Sequence, residues 1–403
     1  MRVLLVSPEF PPFNIGGGGV VVKNLAQNLT RLGCDVTVVS GYYPVRSFFD
    51  KVKKTCSDFR VVWLPLLPTP SSSFQLKTVM PPNIFSFAYL IKMLRGDYDI
   101  IHFHGFGHLL LDVANLCCLI LRKKFILTVH GFPRSPFESG RFLRLLYRFY
   151  LSSLGRILFK RAVRVIYISR SLVSEALSLG LYVRDFTIIP NGINVEEFNV
   201  NFVSDDIKRK WGVSNDDFVL VAVGVLHARK GFQYLIKALS LVRKFYPRVK
   251  LFIIGADLGY GRTLRNLIRK LDLDDRVVLT GFLDSDSKKE LMHIADIFVI
   301  PSVVEPFGLV GLEAMACGKP IIATKVGGLK EFLEDGKTAL FVKPKDVEGL
   351  AEAIIKLIEN EDLREFLSRN ARREVRKYDW SVISKRYFDL YCDLVKGKSR
   401  KMF

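Results

Sequence analysis

Short apolar, β-rich runs alternate with helix-length segments along the whole chain, and this alternation narrows the fold more than any other feature. RVLLVSP, DVTVVSG, FRVVWLPL, YDIIHFHG, KFILTVHG, RVIYIS and FTIIP occupy the first half. FVLVAVGVL, VKLFIIGA, RVVLTGF, IFVIPS, KPIIATKVG and TALFVKP occupy the second, separated by stretches such as YLIKALSLVRKF and GLAEAIIKLIEN. The runs are apolar on both faces. A strand covered by helices on both sides reads this way, so each half predicts an open, doubly wound, parallel α/β sheet. At 403 residues the chain also exceeds what one core usually supports.

Two Rossmann-like domains are therefore expected, residues 1–200 and 201–379, facing across a cleft. Polar, turn-rich NGINVEEFNVNFVSDDIKRKWGV (191–213) reads as the linker. The tail keeps helical spacing to about Val395, and this helix, about 380–395, can pack back on the first domain. Open α/β sheets bind ligands outside the carboxyl ends of their strands, so functional residues belong in the strand-to-helix loops.

The apolar run in MRVLLVSPEFPPF is too short for a signal peptide or a membrane span. LLLDVANLCCLIL (109–121), interrupted by Asp112 and Asn115, reads as a buried helix. Six cysteines without C-x-x-C spacing fit a reduced, cytoplasmic protein. The net charge of +20 favours anionic partners: nucleic acid, anionic lipid or phosphorylated substrates. Within 134–164, Arg141, Arg144, Arg148, Arg156, Lys160 and Arg161 stand among Phe, Leu and Tyr against the single acid Glu138. That pattern suits either peripheral contact with an anionic bilayer or the solvated face of a domain helix.

The most informative segment is PSVVEPFGLVGLEAMACGKPIIAT, a strand, loop, helix and strand. Phe307, Gly308, Leu309 and Val310 offer backbone N–H groups at the helix start, where unpaired donors and the helix dipole favour phosphate. Glu305 and Glu313 flank them. Two acids beside an anion site conflict unless they bind hydroxyls, and a nucleotide sugar carries both hydroxyls and phosphates.

In this segment the chain resembles the retaining glycosyltransferases of family 4, which have the GT-B fold, and the resemblance spans nearly its whole length. It implies that Glu305 contacts the donor sugar, that the backbone of Phe307, Gly308, Leu309 and Val310 binds sugar and diphosphate, and that Glu313 holds the ribose. VAVGVLHARKGF (221–232) is similar to the family's element containing Gly224 and a diphosphate-binding lysine, here Lys230. Many relatives carry Arg one residue after that glycine; this chain has Val225, and Arg229, immediately before Lys230, is the candidate guanidinium for the same phosphate. Gly16, Gly17, Gly18 and Gly19 correspond to a loop that meets the donor diphosphate or the acceptor, and His130, ending FILTVH, to a histidine on the donor sugar.

The resemblance thus implies transfer, with retention, of a hexose-type sugar from a UDP-, GDP- or ADP-sugar to an acceptor hydroxyl, including that of a lipid-linked glycan or phospholipid. No tightly bound cofactor is expected. His102, His104 and His108 alternate along the strand and the turn after it, but no Cys or carboxylate completes a ligand set, so no metal is expected, and the chain is read as having no Asp-x-Asp motif of the metal-dependent transferase kind. Nucleic acid is disfavoured because no recognised motif is present and the Glu305 to Glu313 segment would have no role. The competing readings are a nucleotide-sugar epimerase and a catalytically weak nucleotide-sugar-binding protein, the latter motivated by Val225.

Overall fold

The structure, a computed structural model, describes residues 1–12, 17–42, 58–65, 84–132, 141–198 and 205–399. It divides into Met1–Gly192 with Trp380–Phe403, and Ile193–Asp379.

The first unit contains β1 (Arg2–Ser7), β2 (Asp35–Tyr42), β3 (Arg60–Pro65), β4 (Ile100–His104), β5 (Ile126–Val129), β6 (Arg164–Tyr167) and β7 (Phe186–Ile188). They form one parallel sheet in the order β3-β2-β1-β4-β5-β6-β7. The second contains β8 (Phe218–Val223), β9 (Val249–Ile254), β10 (Val277–Gly281), β11 (Ile297–Ile300), β12 (Ile321–Thr324) and β13 (Leu340–Val342), parallel in the order β10-β9-β8-β11-β12-β13. β1, β4, β5, β11 and β12 are buried almost along their whole lengths, which is why no polar alternation marks them in the sequence. Strand order reverses between β1 and β4 and again between β8 and β11. The loops leaving such a pair diverge and open a crevice at the carboxyl edge.

Helices cover both faces of each sheet. In the second unit Leu235, Ile236 and Leu239 of Phe232–Val242 pack with Ile354 and Leu357 of Val347–Glu359 and with Leu251 and Ile253 of β9. Asp346 accepts the Gly349 N–H at 2.9 Å and Asn360 the Leu363 N–H at 2.8 Å, which sets where the helices Val347–Glu359 and Glu361–Val375 begin.

The division falls at Gly192 rather than near residue 200. The Ile193 N–H donates to the Tyr378 carbonyl at 2.9 Å and the Val195 N–H to Asp379 Oδ2 at 3.2 Å, binding 193–198 to the second unit. Gly192 is required by packing, since a Cβ there would meet the Trp380 indole at 2.6 Å. The helix Trp380–Ser399 belongs to the first unit, where Trp380, Ile383, Tyr387 and Tyr391 are buried and the helix packs against Gly17–Arg31. Asp112 and Asn115 tie the helix Leu109–Ile120 to the two helices that follow β5. Tyr150 Oη of Arg141–Ser152 donates to Asp112 Oδ1 at 3.1 Å, and Arg161 Nε of Leu154–Arg161 donates to Asn115 Oδ1 at 3.2 Å.

Candidate active site

The loops leaving β8 and β11 meet at the switch point of the second sheet. After β8 the chain passes Gly224, against which the Lys230 stem lies; a Cβ there would stand 3.2 Å from Lys230 Cε. His227 Nδ1 accepts the Arg229 N–H at 3.2 Å and starts the tight turn Ala228–Lys230. Gly231 ends it at φ 74°, so close to the β11 loop that a Cβ would fall 1.8 Å from the Pro301 carbonyl oxygen. The Val303 N–H closes the contact on the Arg229 carbonyl at 2.8 Å.

This approach brings Lys230 Nζ to Glu305 Oε2 at 2.6 Å, and Ser302 Oγ donates to the same oxygen at 3.2 Å. Both charged side chains are largely buried, at 15% and 9% exposure, so each depends on the other for compensation. Glu305 is held from behind as well: its carbonyl accepts the Gly328 N–H at 3.0 Å, and a Cβ on Gly327 would fall 1.8 Å from that carbonyl oxygen.

Gly308 then turns the chain at φ 97° into the helix Leu309–Ala316, whose start has no side-chain cap. A Cβ on Gly308 would meet Leu329 at 2.5 Å and Glu305 Cγ at 3.2 Å. Phe307 buries its ring against Phe332, 5.2 Å between centroids, and so offers only backbone here. Leu309 and Val310 are half-buried at the helix start. One turn on, Glu313 Oε1 accepts from Lys288 Nζ at 2.9 Å, while Oε2 is buried with no hydrogen-bond partner among the described residues. Lys288 also sits 5.7 Å over the Phe198 ring. The site therefore pairs each acid with an ammonium beside uncapped backbone donors, a set matched to hydroxyls and phosphates together.

Arg229 is exposed and its guanidinium makes no hydrogen bond among the described residues, so Lys230 alone of that pair joins Glu305. Val225 is half-buried just beyond Gly224. Lys288 and Ser302 were not singled out in the sequence, and neither was the Gly327–Gly328 turn. The adjacent glycines in KVGGLKE were a usable signal, whereas nothing in SDSKKE points to Glu313. Asp97 and Asp99, Asp272 and Asp274, and Asp284 and Asp286 do stand in Asp-x-Asp order, but Asp97 pairs with the Arg2 guanidinium, Asp99 accepts the Arg2 N–H at 2.7 Å, and Asp284 accepts the N–H groups of Asp286 and Ser287 as the cap of the helix Ser285–Ile294.

In the first unit His102 and His104 sit at the end of β4 and His130 just beyond β5. His102 Nδ1 lies 2.6 Å from Tyr391 Oη and Nε2 lies 2.7 Å from Thr128 Oγ1, so both ring nitrogens are engaged by hydroxyls and neither is open to a metal. His104 Nδ1 lies 3.2 Å from His130 Nε2 with the rings stacked. Burial pushes His102 down to about 3 and His130 to about 4, and His104 well below its usual value, so all three are neutral at pH near 7. His104 Nε2 and His130 Nδ1 have no hydrogen-bond partner among the described residues. His108 lies one step past this group, at the start of Leu109–Ile120. The described residues contain no cluster of three or more His, Cys, Asp or Glu able to hold a metal. Gly17 and Gly18 open the helix Gly17–Arg31, and a Cβ on Gly18 would touch none of the described residues within 4 Å. Gly16 lies outside the described residues.

Two doubly wound parallel sheets, the second with an acid-and-ammonium site at its switch point, define a GT-B-type α/β protein. Residues 15–197 match Glycosyltransferase Family 4 and residues 203–374 match Glycosyl transferases group 1; the chain belongs to this family and is a glycosyltransferase. It is similar to an uncharacterized glycosyltransferase of Methanocaldococcus jannaschii, 29% identical over 97% of this chain and 98% of that one. It is also similar to the alpha-monoglucosyldiacylglycerol synthase of Acholeplasma laidlawii, 28% identical over 100% and 99%. Among solved structures, Anabaena HepE in complex with UDP and glucose superposes with a TM-score of 0.79 at 23% identity, covering 98% of this chain and 100% of that one.

Proposed function

We propose that this glycosyltransferase moves a hexose-type sugar from a nucleoside diphosphate sugar to an acceptor hydroxyl with retention at the anomeric carbon. The observation that carries the reading is the buried pair of Lys230 and Glu305 beside the uncapped start of Leu309–Ala316. Backbone donors from Gly308, Leu309 and Val310 take phosphate oxygens, and Lys230 stabilises the charge that develops on the leaving diphosphate as its bond to the anomeric carbon breaks. Glu305, released from Lys230 by that phosphate, turns to a sugar hydroxyl. Glu313 Oε2, buried without a hydrogen-bond partner among the described residues, takes a ribose hydroxyl. His130, neutral at pH near 7, is a hydrogen-bonding partner for the sugar rather than a counter-charge. The acceptor oxygen bonds to the anomeric carbon on the face the leaving group vacates, and its proton passes to the leaving phosphate oxygen. Gly17 and Gly18 mark where the first unit receives diphosphate or acceptor.

A UDP-sugar is the first donor to try, since HepE was crystallised with UDP and glucose. A lipid acceptor on the cytoplasmic face of a membrane is favoured over a soluble sugar by the basic 134–164 region and by similarity to a protein named for a glucosylated diacylglycerol. The test incubates the protein with UDP-, GDP- and ADP-sugars, with and without lipid extract. It follows nucleoside diphosphate release and the anomeric configuration of the product by NMR, with Glu305→Ala as control. Release that needs Glu305 and yields the donor's own configuration supports the reading. An inverted product refutes retention, a converted donor sugar without transfer indicates an epimerase, and donor binding without turnover indicates a sensor.

A further inference from the structure

From the two helices Arg141–Ser152 and Leu154–Arg161, with their neighbour Leu109–Ile120, we infer that the first unit carries a docking surface for an anionic lipid bilayer. This deepens the lipid-side reading of the acceptor and rests on the same basic 134–164 region, here on the side chains whose exposure the structure gives. Leu145, Arg148, Phe149 and Ser152 follow helical spacing and all face solvent, with Leu145 66% and Phe149 70% exposed. On the next helix Leu154 and Ile157 are exposed beside exposed Arg156 and Lys160, while Gly155, Leu158 and Phe159 face the core. Leu109–Ile120 packs beside that helix and exposes Leu116, Leu119 and Ile120.

A soluble domain helix buries its apolar stripe and solvates its charged one. Here apolar and cationic side chains share the solvent side, which is the arrangement of a helix lying in a membrane interface. The helices are held in place by polar bonds on their other sides, Tyr150 to Asp112 and Arg161 to Asn115, so the exposed residues are not needed to close the core.

Charge selects the occupant. Residues 141–161 contain six cations and no Asp or Glu, and among the described residues Arg148, Arg156 and Lys160 form no ion pair. A second copy of this chain would set like charges against each other. An anionic bilayer offers hydrocarbon to Leu145, Phe149, Leu154 and Ile157 and lipid phosphates to the cations beside them.

The test is co-sedimentation of the full chain, with no donor present, on vesicles of phosphatidylcholine alone and of phosphatidylcholine mixed with phosphatidylglycerol. Binding to the mixed vesicles only is expected, weakening as salt rises. Arg156→Gln with Lys160→Gln should lower partitioning about thirtyfold, from about 1 kcal/mol per interfacial cation, and Phe149→Ser with Leu145→Ser should lower it comparably. All four positions are exposed, so unchanged thermal melting shows that the variants fold. Binding that ignores both pairs of substitutions, equal binding to neutral vesicles, or a concentration-dependent dimer abolished by Phe149→Ser overturns the proposal. Because no sugar is turned over, failure here leaves the transferase reading intact, and failure of the transferase assay leaves this result intact.

Discussion

Glu305 is a buried carboxylate with one ammonium and one hydroxyl on the same oxygen, and the two members of the Lys230–Glu305 pair predict opposite outcomes on substitution. Glu305→Gln removes the charge that occupies Lys230, so UDP should bind more tightly, on the order of tenfold, while turnover of the sugar nucleotide falls by roughly 10² to 10³. Lys230→Ala leaves the carboxylate without its counter-charge, which should cost about 3 to 5 kcal/mol of stability and weaken UDP. Calorimetric titration with UDP separates them; equal weakening by both variants would show that the pair does not compete with phosphate. The types and spacing of Glu305, Glu313 and Lys230 were legible in the sequence. The pairing of Lys288 with Glu313 was not, because a bond between residues on different helices leaves no local periodicity.

At the scale of elements, the end of β4 and the helix Trp380–Ser399 form one polar cluster inside an apolar core. Tyr391→Phe removes a buried partner of His102 and should cost about 1 to 3 kcal/mol in urea unfolding; an unchanged midpoint would show that the contact adds nothing. The same histidines set a pH dependence. Their folded values, about 3 for His102 and about 4 for His130, lie below the ordinary 6.5, so the unfolded chain takes up protons first as pH falls. The stability they contribute is complete above about pH 6.5. It declines below that by up to about 1.4 kcal/mol per unit for each histidine until the folded values are reached. Asp112, pushed up to about 6 by burial, works in the opposite sense below that pH and offsets part of the loss. Unfolding midpoints measured from about pH 7 to about pH 5 should fall, and a flat profile would contradict the buried placement of the cluster.

For the whole molecule, the second unit is one continuous segment, Ile193–Asp379, whereas the first is closed by the tail, Trp380–Phe403. A fragment of residues 193–379 should therefore unfold cooperatively and bind UDP alone. Residues 1–192 should remain poorly packed until a 380–403 peptide is supplied, since Trp380, Ile383, Tyr387 and Tyr391 fill their core; hydrogen exchange on the fragments checks both outcomes. By itself the sequence determined thirteen strands, their burial on both faces, the family, and the acids and lysine of the site, because apolar runs, turn residues and a helix start are written in neighbouring positions. Only the tertiary structure decided where strand order reverses, that Lys230 pairs with Glu305 across 75 positions and that His102 meets Tyr391 across 289. It also decided that Leu145, Phe149, Leu154 and Ile157 remain in solvent. Those contacts depend on how distant segments are brought together, and a periodicity confined to one segment does not encode them.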